Sequence, residues 1–96
     1  MLTNKQIKFL RAKAHHLTPI VWLGEKGLSQ SALSEILNQL STHELIKIRL
    51  NPSGNEKKIV VKEIVNKTNS NYVNLIGKTV IIYKAAEEPK ILIPQN

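Results

Sequence analysis

The sequence predicts a single small α/β domain, with the order α-β-α-β-α-β-β and a four-stranded mixed sheet packed by helices. Three observations carry that prediction. Stretches with apolar residues three and four apart alternate with shorter runs that are continuously apolar or alternate with polar residues, the periods of helix and strand. Clusters of Pro, Gly, Asn and Ser mark the change-overs. The chain has 96 residues, enough for one modest core and not for two domains. Strands separated by helices are expected to run parallel, and the last two strands to form an antiparallel hairpin.

The first helix is expected from Asn4 to Leu17, with Thr3 as its N-cap. Ile7, Leu10, Ala14 and Leu17 make one apolar stripe. Lys5, Lys8 and His15 fall on another face, with Arg11 at its edge. The first acid in the chain is Glu25, so this helix has no carboxylate to balance its cations. A solvated helix usually mixes signs to gain i,i+4 pairs. A one-signed face points to a partner that supplies the negative charge.

Thr18-Pro19 ends the helix, because a residue before proline avoids the helical region. Ile20 to Leu23 fits a short central strand, and Trp22 is expected to be core or semi-buried, with base stacking the lesser alternative. Gly24-Glu25-Lys26-Gly27 is then a tight loop, and Ser29 caps a second helix from Gln30 to about Ser41. Ala32, Leu33, Ile36, Leu37 and Leu40 form its apolar stripe. Leu45 to Leu50 alternates, with Ile46, Ile48 and Leu50 on one face and Lys47 and Arg49 on a basic outer face.

Asn51 to Asn55 is a turn cluster. Ser53 and Glu56 have capping-box spacing, so the third helix is expected from about residue 55 to 69 in spite of its β-branched residues. Tyr72 to Ile76 and Thr79 to Tyr83 are strand-like runs around Gly77-Lys78, a type II′ hairpin signal. The tail from residue 85 to 96 is expected to add a short edge segment at Ile91 to Ile93 or to stay loose.

Composition narrows the function. The chain carries 14 Lys and Arg against 7 acids, all glutamate, for a net charge of +7. Such an excess favours polyanions. There is no cysteine, which removes disulfides, thiol nucleophiles and Cys-ligated metals. Without Asp or Cys, His15, His16 and His43 make no plausible metal set, and no cofactor is expected. No serine sits in a nucleophile elbow, and no G-x-x-x-x-G-K-[ST] loop is present. No catalytic residues are assigned, and neither an enzyme nor a small-molecule substrate is expected. No apolar run approaches a membrane span, the N-terminus lacks the apolar core of a signal peptide, and a cytoplasmic monomer without membrane contact is expected.

The loop Gly24 to Gly27 matters through its context. It ends a strand and opens a helix, where backbone N–H groups attract anions. KH domains use G-x-x-G to clamp a nucleic-acid backbone, although there it joins two helices. Lys26 supplies a cation, and Glu25 opposes it.

Four segments together resemble the CRM domain family (chloroplast RNA splicing and ribosome maturation), in its stand-alone bacterial, YhbY-like type. They are Lys5 to His15, the Pro19 strand with Gly24-Glu25-Lys26-Gly27-Leu28, His43 to Arg49, and Ile76 to Lys84. The resemblance spans residues 3–84. It implies an RNA-binding domain over residues 1–84, with a fold similar to the C-terminal domain of the bacterial third translation initiation factor. It implies ribosomal RNA in large-subunit precursors as the partner, and a role in ribosome assembly. The RNA-binding residues expected are Lys5, Lys8, Arg11 and His15 of the first helix and Gly24, Glu25, Lys26 and Gly27 of the loop. Glu25 departs from the family pattern, in which many members have a basic, polar or small residue. The alternative is a basic protein-interaction module that docks an acidic ribosomal or regulatory partner. A duplex-DNA binder is disfavoured, since no helix clusters Arg, Asn and Gln for base edges.

Overall fold

The computed structural model describes residues 2–51 and 56–95. Its elements are α1 (Asn4–Ala14), β1 (Val21–Trp22), α2 (Gln30–His43), β2 (Leu45–Arg49), α3 (Lys57–Thr68), β3 (Asn71–Ile76) and β4 (Thr79–Tyr83), in the expected order. The four strands form one sheet in the order β1-β2-β4-β3. β1 runs parallel to β2, and β4 is antiparallel to both β2 and β3. The β3–β4 turn has Gly77 at φ +58 and no positive φ at Lys78, the pattern a type II′ turn needs.

β1 is an edge strand, not the central strand expected. The reason lies in β4. Its Val80, Ile81, Ile82 and Tyr83 are all buried, so both of its faces need cover and it takes an interior place beside β2. β1 buries only Val21 and its neighbour Leu23, while Ile20 and Trp22 stay exposed.

The sheet divides the core in two. On one face Val21, Leu23, Ile46, Ile48, Leu50, Val80 and Ile82 pack with Ile36 and Leu40 of α2 and Val61 and Ile64 of α3. On the other, Leu10 and Ala14 of α1 pack with Leu45, Val73, Ile81 and Tyr83. So β2 has apolar residues on both faces at its start and the expected alternation only after Leu45.

Helix boundaries follow local chemistry. α1 ends at Ala14, three residues before expected, because the chain turns early to enter β1. The Leu17 N–H donates to the Ala14 carbonyl at 2.9 Å within that turn, and Leu17 is exposed. α2 has the predicted Ser29 cap, whose Oγ accepts from the Ala32 N–H at 3.1 Å, and runs two residues further than expected, to His43. In α3 burial overrides strand propensity, since Val61, Ile64 and Thr68 share its inward face. Ser53 of the predicted capping box lies outside the described residues, as does the expected helix start at residue 55; Glu56 makes no side-chain cap bond. Asn69 ends α3 in the left-handed region at φ +54.

Among its described residues the C-terminal tail forms no strand, yet it is held. Glu44, fully buried between α2 and β2, accepts backbone N–H bonds from Ala86, Lys90 and Ile91 at 2.8, 2.8 and 2.9 Å. Ile91 and Ile93 pack beside α1 against the second core cluster, and the Pro94 carbonyl accepts from Gln6 Nε2 at 2.7 Å.

Candidate functional site

α1 sets its cations by its own capping and packing. The Gln6 N–H donates to Thr3 Oγ1 at 3.1 Å and the Thr3 N–H to Gln6 Oε1 at 2.9 Å, a reciprocal capping box. Leu10 and Ala14 turn into the core. The helical period then leaves Lys5, Lys8, Arg11 and His15 exposed. Among the described residues the one ion pair is Lys67 with Glu63, at 3.4 Å on α3, so no carboxylate there pairs with an α1 cation.

The G-x-x-G loop closes on itself. Gly24 and Gly27 form an isolated antiparallel bridge, with the Gly27 N–H donating to the Gly24 carbonyl at 3.0 Å. The Ser29 N–H donates to the Gly27 carbonyl at 3.1 Å. Two of the N–H groups expected to face an anion are therefore turned into the loop. Gly27 has φ +70, a conformation that favours glycine. Gly24 has no positive φ, and a Cβ there would meet no atom within 4 Å, so neither strain nor packing explains it. Glu25 and Lys26 are exposed. The loop lines a groove with Asn51, Glu56 and Lys57. Lys57 Nζ donates to the Gly77 carbonyl at 3.1 Å, so the G-x-x-G loop, the start of α3 and the β3–β4 turn meet at one end of the sheet.

The expected residues fall in two places. Arg11 and His15 line a groove with His16, Lys47, Asn74 and Ile76, and Gly24, Glu25 and Gly27 line the groove just described. Lys5 and Lys8, further up α1, and Lys26, in the loop, line neither. What joins the two places is a part of the sheet that α1 leaves uncovered. Strand register puts Trp22, Arg49, Thr79 and Ile76 in one row across all four strands. The next row, toward α1, contains Lys47, Ile81 and Asn74. Trp22 is 74% exposed and Ile76 61%, which corrects the expectation that Trp22 is core or semi-buried. β1 turns Val21 and Leu23 toward α2, so Trp22 points to the opposite face, beyond the reach of α1.

Sequence reasoning thus missed Asn74 and Ile76 as surface groups near the site, and gave Trp22 a surface role only as the lesser, base-stacking alternative. For Trp22 the signal was present. The alternation that marks Lys47 and Arg49 as outward in β2, applied to Ile20 through Leu23, puts Trp22 on the same side once the two strands pair in register. Asn74 and Ile76 join the surface only through strand order, which local periodicity does not encode.

No group of three or more metal-ligating side chains occurs among the described residues, and no described helix is long and apolar enough to cross a membrane.

The CRS1 / YhbY (CRM) domain model matches residues 2–84. A Haemophilus influenzae protein named RNA-binding protein is 41% identical over 96 residues, spanning 99% of this chain and 97% of its own. A Bacillus subtilis protein named probable RNA-binding protein YqeI is 41% identical over 91 residues, spanning 94% and 95%. The solution structure of a Staphylococcus aureus hypothetical protein matches with a TM-score of 0.84 and 32% identity, covering 98% of this chain and 100% of that one.

Proposed function

Because the chain belongs to the CRS1 / YhbY (CRM) domain family, we propose that it is a non-catalytic RNA-binding protein. The observation that carries this is the one-signed surface running from α1 to the sheet. Lys5, Lys8, Arg11 and His15 are exposed on α1, and Lys47 and Arg49 continue the positive charge across β2. The relatives named as RNA-binding proteins support the same reading.

In this reading cations along α1 contact phosphates, and the G-x-x-G loop meets the RNA backbone at the far end. Gly24, which nothing in the fold requires to be glycine, leaves its main chain open to close approach. Lys26 supplies charge there and Glu25 opposes it. Recognition is by shape and phosphate, suited to structured RNA. The partner we propose is ribosomal RNA in precursors of the large subunit, with the protein acting as a cytoplasmic monomer that assists assembly and needs no cofactor.

The experiment is sedimentation of a cell lysate at low salt, with the protein followed by antibody. Co-migration with large-subunit precursors, abolished by ribonuclease, is expected. Migration only with free proteins contradicts the ribosomal reading, and ribonuclease-resistant co-migration favours docking on an acidic protein.

A further inference from the structure

We propose that Trp22 and Arg49 form a seat for one unpaired RNA base, beside the surface that contacts phosphate. The proposal rests on the RNA-binding reading and adds a ligand group and a place for it. An indole 74% exposed on a sheet is an unusual use of the one tryptophan in the chain. It is not isolated. Trp22 pairs with Arg49 in the β1–β2 register, so the two side chains leave the same face of neighbouring strands, roughly 4.8 Å apart at the backbone. Thr79 and the exposed Ile76 complete the row.

An aromatic face stacks on any base, and a guanidinium plane both stacks and contacts phosphate. The paired strand residues on this part of the face, Trp22, Arg49, Thr79 and Ile76 with Lys47, Ile81 and Asn74, include two cations and no carboxylate. Glu35 comes near Trp22 only around the outer edge of β1, in a groove shared with Ser29 and Ser31. A nucleotide strand offers both a π face for Trp22 and phosphate for Arg49 and Lys47. The Gly24 to Gly27 loop starts two residues after Trp22, and Trp22 and Gly24 line one groove, so a backbone held at the loop passes beside the indole. A base inside a continuous helix has both faces covered, so the occupant is a bulged or overhanging base.

The chain has one tryptophan, so its emission reports this site alone. The test titrates the protein with a ribosomal RNA hairpin carrying a single-nucleotide bulge, and with the same hairpin fully paired, at one salt concentration. Labelled-RNA anisotropy follows the variants. The bulged RNA is expected to quench Trp22 emission. Trp22→Ala should weaken binding of the bulged hairpin by about tenfold and of the paired hairpin by less than about twofold, with Trp22→Phe close to wild type. Because the indole is exposed, an unchanged circular dichroism melt should show that Trp22→Ala folds. Equal effects of Trp22→Ala on the two RNAs, or binding of both with unmoved emission, overturns the base seat and leaves the RNA-binding reading standing. Binding of neither RNA by the wild-type protein overturns that reading too. A shift of Trp22 emission with protein concentration alone assigns the face to a second copy of the chain and overturns the seat.

Discussion

Glu44 has more backbone partners through its side chain than any other charged group described, and it was hidden in the sequence. Between the second helix and the strand at Leu45 it reads in the sequence as one more polar residue. Its three N–H donors lie 42, 46 and 47 positions downstream, a separation no local pattern spans. The main chain bends to place it, with φ +65 at a non-glycine residue, a conformation that costs about 1–3 kcal/mol. Burial by itself raises the Glu44 carboxyl, but the three backbone N–H bonds and the Lys90 charge outweigh it and hold the group below the ordinary 4.5. A carboxyl with a lower pKa in the folded state stabilises fully above the unfolded pKa. That contribution is lost as pH falls through the folded value. Glu44→Gln should therefore cost about 1–3 kcal/mol at neutral pH and flatten the acid limb of stability against pH, as read by urea unfolding between pH 3 and 7. An unchanged acid limb would mean that the carboxylate does not tie down the tail. At the loop, Glu25→Lys should tighten RNA binding and raise the salt slope by about one unit. Unchanged affinity would leave the glycines a turn and nothing more.

α1 separates stability from binding more cleanly than any other element. Leu10 is fully buried beneath it, so Leu10→Ala should cost about 2–5 kcal/mol, and Thr3→Ala about 1 kcal/mol through the lost cap. Lys8→Ala and Arg11→Ala touch exposed positions and should change stability by no more than about 0.5 kcal/mol while weakening RNA binding. Chemical unfolding paired with RNA titration of the four variants checks that division. The cap and the apolar stripe through Ala14 were legible because both are local. The helix end was not, because its position answers to where β1 must begin. The same limit applies to β1, whose residues were read as a strand but whose place at the sheet edge depends on β4 docking against β2. Trp22 was misjudged because β1 was taken as central, although its alternation already put Trp22 on the face of Lys47 and Arg49. An apolar residue in a central strand is buried, but on an edge strand left bare by α1 it meets solvent.

For the molecule as a whole, the order of elements and the excess of positive charge were both legible, the first from periodicity and the second from counting. What the sequence did not contain in readable form is the joining of its two basic features. Lys8 and Arg11 on one helix and Lys26 in a distant loop are connected only by Lys47, Arg49 and the bare part of a folded sheet. The tail also rests on this helix, since Gln6 and the second core cluster hold residues 91–94 against α1. In the function proposed above, this joined surface binds RNA through phosphate. That binding is tested most directly by the slope of log binding constant against log salt concentration for structured ribosomal RNA, measured for wild-type protein, Lys8→Ala and Arg11→Ala. A steep negative slope is expected, shallower by about one unit in each variant. A slope near zero, or the same slope in all three proteins, would contradict it.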